Sequence, residues 1–234
     1  MIIEKSFFGL PLISKMIQSP LSEEIIRSLF YSEIIEEIKR FTFRPEGKVI
    51  VQMPYPIHQQ FNPTGRRYAD LYVDLSNIPQ SSNIQSIDIF NNYNWIEIKY
   101  FSQPSKKTTS ITKCGNIGKL INAMLRLVFL PGSKDCGRYL LTVFHGDYTQ
   151  HLALQSNKKK IKRDWIKPIF EPNNPDYQPT IKINWQDEVK SVVEEIDKGF
   201  SHITSIDLSI TRFKLLGNSK NSLNWYLLRI DGYK

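Results

Sequence analysis

Two stretches in the first half of the chain alternate apolar and polar side chains with the period of a β-strand. In "RRYADLYVDL" (66–75), Ala69, Leu71, Val73 and Leu75 fall on one face and Tyr68, Asp70, Tyr72 and Asp74 on the other. In "NWIEIKYF" (94–101), Trp95, Glu97, Lys99 and Phe101 share a face, and Ile96, Ile98 and Tyr100 take the opposite one. "KVIVQMPYPI" (48–57) is rich in β-branched residues and stopped by two prolines, so it reads as a strand and then a loop. "GRYLLTVFHG" (137–146) is apolar throughout, the pattern of a strand covered on both faces. Helical spacing appears twice. Leu21, Ile25, Leu29, Ile34 and Ile38, behind a capping Ser19 and with Pro20 at the first helical position, predict a helix ending near Arg40. Ile117, Leu120, Ile121, Met124, Leu125 and Val128 predict a second, terminated by Pro131 and Gly132.

"IQSIDIF" (84–90) suggests a short extra strand between the two alternating ones. After residue 146, "SNKKKIKRDW" breaks the pattern and "FEPNNPDYQP" reads as a loop with three prolines. A helix through "WQDEVKSVVEEIDKGF" and a hairpin of "SIDLSITRFKLL" and "NWYLLRI", turned by "GNSKNS", complete the chain. The order helix, three strands, helix, strand predicts an α/β fold. Residues 1–234 form one domain on this reading, with a core at 19–146 and a C-terminal elaboration at 147–234.

Composition adds a partner class. Hydrophobic residues make up 41% of the 234, enough for a substantial core, and the formal charge of +8 favours a polyanion. Cys114 and Cys136 fit neither a zinc-knuckle spacing nor a disulfide framework, so they read as free thiols of a reducing compartment. The apolar opening "MIIEKSFFGLPLISKMI" is interrupted by Glu4, Lys5, Pro11 and Lys15, which excludes a signal-peptide core or a spanning helix. A cytoplasmic chain with no membrane partner is the expectation.

The chemistry concentrates on 94–101. Two residues apart on one strand face, Glu97 and Lys99 lie about 6.6 to 7 Å from one another. If the strand carrying Asp70 pairs in the same sheet, two carboxylates and one ammonium meet. Converging carboxylate oxygens suit a hard divalent cation, Mg²⁺ above all, with Mn²⁺ as a substitute. Such an ion polarises a phosphoryl oxygen and acidifies bound water, while the lysine orients that water or stabilises developing charge.

"YADLYV" followed by "WIEIKYF" resembles the PD-(D/E)XK nuclease superfamily. The family's acidic residue falls on Asp70, preceded by Ala69 where proline is usual, and its E-x-K falls on Glu97, Ile98 and Lys99. The resemblance covers residues 19–146. It implies a restriction-endonuclease-like fold, a central mixed β-sheet flanked by helices with an αβββαβ core. It also implies a Mg²⁺-dependent DNA endonuclease of the type II restriction kind, in which Asp70 and Glu97 hold the metal, Lys99 completes the catalytic set, and a homodimer cuts double-stranded DNA. Asp74 and Asp88 remain alternatives to Asp70, with turn or strand ends as their bland reading. Glu33, Glu36 and Glu37 of the first helix read as a charged solvent face.

Phosphate contacts are expected from Arg66 and Arg67 ahead of Asp70, and from Lys106 and Lys107 after the E-x-K strand. Lys119 on the second helix and the run Lys158, Lys159, Lys160, Lys162 and Arg163 are the other candidates. A zinc site of His145, Asp147 and His151 is the weaker reading of "HGDYTQH". Two alternatives stay open: a non-catalytic nucleic-acid-binding module or structural subunit of the same fold, and a repair or defence nuclease acting on other DNA or RNA.

Overall fold

The alternating segments build one sheet. The computed structural model describes residues 2–14, 21–42, 44–45, 48–54, 68–78, 92–104, 109–130, 136–156, 161–171, 177–217 and 222–234. Strands β1 (Val49–Pro54), β2 (Tyr68–Asp74), β3 (Tyr93–Phe101) and β4 (Cys136–His145) come from the first two thirds of the chain. β5 (Gln155–Ser156) and β6 (Ile161–Lys162) form a separate small ribbon. β7 (Tyr177–Asn184), β8 (Ser205–Leu215) and β9 (Leu223–Tyr233) complete a seven-stranded sheet in the order β1-β2-β3-β4-β9-β8-β7. β3 and β4 are parallel and the other neighbours antiparallel, so the sheet is mixed. A parallel pair needs a long crossover, and helix α3 (Ser110–Val128) supplies it.

The period-two pattern decides which face each side chain covers. Ile96 and Ile98 of β3, Leu71 and Val73 of β2, and Tyr139, Leu141 and Val143 of β4 form one apolar layer. Helices α1 (Ile2–Ser14) and α2 (Glu23–Lys39) close it with Phe7, Leu10, Ile26, Phe30, Ile34 and Ile38. On the other face Trp95, Phe101, Leu140 and Phe144 pack with α3 through Ile117, Leu120, Ile121, Met124, Leu125 and Val128. The result is an α/β architecture with helices on both sides of a mixed sheet.

Several expectations change. The first predicted helix starts at Ser22, whose Oγ accepts the Ile25 N–H, while Ser19 and Pro20 lie outside the described residues. α1 was not anticipated as a helix. Its Glu4 is buried, where Tyr139 Oη and Arg229 Nη1 donate to its Oε1. Of the loop read through "FEPNNPDYQP", residues 172–176 lie outside the described residues and 177–179 begin β7, an edge strand that tolerates Pro179 where the register shifts between Gln178 and Ile181. After the short helix α4 (Ile166–Phe170), the long helix read through 185–200 is reduced to α5 (Lys190–Val193) and a 3₁₀ turn at Lys198–Phe200. Two side-chain bonds explain the interruption: Glu188 turns inward to Arg163, 25 residues earlier, and Asp197 caps the Gly199 N–H. The extra strand read at 84–90, with Asp88, lies outside the described residues. Among the described residues no helix is long and apolar enough to cross a membrane.

Candidate active site

The β2–β3 ladder runs from Asp74 opposite Tyr93 to Leu71 opposite Ile96 and then stops. One residue beyond the last pair, Asp70 turns its carboxylate into the gap. Its Oδ2 accepts the Ile98 N–H at 2.8 Å, so a side chain takes the place of the missing ladder bond. This anchors Asp70 against the strand that carries Glu97 and Lys99.

Lys99 is the hub. Its ammonium lies 3.3 Å from Glu97 Oε2, 3.7 Å from Glu23 Oε1 and 3.9 Å from Asp70 Oδ2, and it donates to the Ile98 carbonyl at 2.7 Å. The three residues singled out by sequence are therefore brought together, and a fourth joins them. Glu23 opens α2, where its carboxylate also accepts the Tyr100 N–H at 3.4 Å. A first-turn acid is favoured by the helix dipole.

Two arginines close the set. Arg27, one helical turn after Glu23, places Nη2 at 2.7 Å and Nε at 3.1 Å from Asp70 Oδ1. Arg126 of α3 comes from the opposite face of the sheet, its Nη1 3.9 Å from Glu97 Oε1. The Glu97 side chain is 2% exposed, whereas that of Glu23 is 39% exposed, so the site is reached from the Glu23 side. Burial alone would lower the pKa of Lys99, but Glu97, Glu23 and Asp70 outweigh it and hold the amine above its ordinary value. Lys99 is an ammonium at neutral pH, a donor and not a base.

Among the described residues, no three His, Cys, Asp or Glu side chains are gathered tightly enough to hold a metal as they stand. The donor chemistry nevertheless suits a hard cation, because three carboxylates all lie within 3.9 Å of a single positive group, the Lys99 ammonium.

The other expected residues distribute differently. Asp74 caps the turn after β2 through Ser76 N and Oγ. Glu36 and Glu37 pair with Lys39 and Arg40 on the surface of α2. Lys119 and Lys162 are exposed. Arg163 is a correction: it is 2% exposed, and its guanidinium is bidentate to Glu188 at 2.7 and 2.6 Å, so it faces the interior and cannot meet a phosphate. Arg66, Arg67, Lys106, Lys107, Lys158, Lys159 and Lys160 lie outside the described residues. His151 Nε2 is bonded to the His145 carbonyl and Asp147 caps Thr149, which accounts for "HGDYTQH" without a metal. Both thiols are buried and unbridged.

Glu23 and Arg27 are what sequence reading missed. The available signal was their i,i+4 spacing at the start of the predicted helix, which puts both on one face. Which end of that helix meets the sheet is not written in the spacing. Against family models, curated proteins and solved structures alike, the chain shows no match, so the functional reading rests on this geometry and on the motif.

Proposed function

We propose that the chain is a metal-dependent nuclease with a restriction-endonuclease-like core. The observation that carries this reading is the meeting of Asp70, Glu97 and Glu23 around Lys99 where β2 and β3 part. Asp70 and Glu97 would hold Mg²⁺ or Mn²⁺, and Glu23 adds a third carboxylate on the open side. The bound ion supplies Lewis acidity and acidifies water.

The chain's own groups do the rest. Asp70 is fixed by the Ile98 N–H and so presents a defined orientation. Lys99, braced on the Ile98 carbonyl, orients the attacking water and donates to the phosphoryl oxygen on which charge accumulates. The formal charge of +8 suits a nucleic-acid substrate. We take double-stranded DNA as that substrate and a homodimer as the unit that cuts both strands, as the type II restriction enzymes the motif resembles would.

Supercoiled plasmid incubated with the purified protein and Mg²⁺ tests the proposal. Nicking or linearisation that chelator abolishes is expected. Glu97→Gln, which removes one charge and little volume, should lower the rate at least about 10²-fold, as should Lys99→Ala. DNA retarded but intact with the unaltered protein would favour the non-catalytic binding module instead. Cleavage unchanged in Glu97→Gln would overturn the mechanism.

A further inference from the structure

Among the described residues, the charges about Lys99 balance. Glu23, Asp70 and Glu97 contribute three negative charges, and Lys99, Arg27 and Arg126 contribute three positive ones. A divalent ion entering such a set meets no net negative charge. Something already present must give way.

The three cations are not equally placed to do so. Lys99 is braced on the Ile98 carbonyl at 2.7 Å and belongs to the strand itself. Arg126, from α3, reaches Glu97 only at 3.9 Å and makes no contact with Asp70 in the set described. Arg27 makes the closest contact of the set, with two N–H groups on one oxygen of Asp70. With the Ile98 N–H on Oδ2, both oxygens of that carboxylate are engaged. A carboxylate accepts about four hydrogen bonds, so three of the Asp70 sites are occupied and two of those three belong to Arg27. Arg27 also has somewhere to go, since Glu23 one helical turn earlier stands at the spacing at which opposite charges pair on a helix.

We propose that Arg27 is a resident counter-cation for Asp70, competing with a divalent ion for that carboxylate and setting how tightly the site takes one. The inference rests on the metal-dependent reading above. In the ion's absence Arg27 neutralises Asp70 and ties α2 to β2. For an ion to be held there, Arg27 would have to release Asp70 Oδ1, while the Ile98 N–H could keep Oδ2. Affinity is therefore lower than the count of carboxylates suggests. A site that loads only when cation concentration is high, or when a substrate phosphate adds negative charge, follows from this arrangement.

A purely structural Arg27 would make a different prediction, because losing it would loosen α2 and weaken everything the site does. Mn²⁺ binding to the full chain without nucleic acid, followed by electron paramagnetic resonance or calorimetry, separates the two. Thermal melts of the same samples report folding. Repulsion between a unit charge and a divalent ion about 6 Å apart, even at the dielectric of water, corresponds to roughly a tenfold change in affinity. Arg27→Gln should bind Mn²⁺ on the order of tenfold more tightly, Arg27→Lys should stay near the unaltered protein, and Asp70→Asn should lose binding. If Arg27→Gln does not fold, Arg27→Met retains the aliphatic stem and serves the same comparison.

Asp70-dependent Mn²⁺ binding in the unaltered protein with no tightening in Arg27→Gln would overturn the counter-cation role and leave the nuclease reading intact. No Asp70-dependent binding in any variant would overturn both.

Discussion

Replacing Arg163 with alanine should destabilise the fold severely without touching the candidate active site. The guanidinium donates through Nε and Nη2 to the two oxygens of Glu188 at 2.7 and 2.6 Å, and through Nη1 to the Ala153 carbonyl at 2.7 Å. The paired side chains are 1% and 3% exposed, so screening by solvent is negligible. Truncation strips the buried Glu188 carboxylate of its bidentate partner, and removing one member of a buried ion pair typically costs about 3–5 kcal/mol. For a chain of this size each kcal/mol moves the midpoint by about 2–4 °C, so the melting temperature should fall by roughly 6–20 °C. Lys162→Ala, one residue away and exposed, should stay within about 0.5 kcal/mol of the unaltered protein. Arg163→Met combined with Glu188→Leu removes both charges and should recover much of the loss, because an apolar pair can replace a buried ion pair at little cost. Thermal and urea melts of the four proteins decide the matter. An Arg163→Ala protein that melts like Lys162→Ala, and instead binds DNA more weakly, would refute the assignment and return Arg163 to the phosphate contacts.

Two further outcomes are expected. Gly118 of α3 faces α5 so closely that an added Cβ would lie 2.3 Å from the Val192 carbonyl oxygen, and backbone cannot easily yield. Gly118→Ala should therefore cost about 1–3 kcal/mol in a urea melt despite its better helix propensity, and a neutral or stabilising result would mean the two helices part freely. His151 is buried against Phe101 and Phe144, and its desolvation lowers its pKa below the ordinary 6.5. The unfolded chain thus binds the proton first. Stability from the neutral ring is complete above pH 6.5 and is lost as pH falls from there through the lowered folded value; melts of His151→Gln across that window should show a shallower decline.

How much was legible follows from the kind of signal each element carries. β4 was readable because an unbroken apolar run marks a strand covered on both faces, and β2, β3 and α3 because burial on a sheet or helix face imposes a short period that survives in the sequence. That is why Trp95 and Phe101 are found on one face and Ile96 and Ile98 on the other. α1 carries a short stripe, Ile3, Phe7 and Leu10, but it is obscured in the sequence by the exposed Phe8, by Pro11 and by a buried Glu4 whose partners Tyr139 and Arg229 lie far along the chain. β7 was hidden by Pro179, which argues against a strand unless the strand is known to be an edge. The helix read at 185–200 had the right composition, but Glu188 was claimed by Arg163 and the local preference lost.

The same reasoning explains the unequal reading of the charged residues. Asp70, Glu97 and Lys99 were found because strand order and alternation confine where strand side chains can meet. Glu23 and Arg27 come from a helix laid across the sheet, and the angle at which it lies is set by Ile26, Phe30 and Ile34 packing on β2 and β3, not by anything near residue 23. Arg163 failed for the opposite reason. Within "KKKIKR" every basic residue adds the same charge, yet Lys162 points to solvent and Arg163 to Glu188. A run of like charge predicts a surface only when no acid waits behind it. Glu188, 25 residues further on, was such an acid. Arg27 poses the same question at the candidate site, where Asp70 is the acid and the Arg27 side chain is 14% exposed. Both arginines are held by a carboxylate. Only the one whose carboxylate also faces Lys99, beside the part-exposed Glu23, has on the proposed reading a competing cation to yield to.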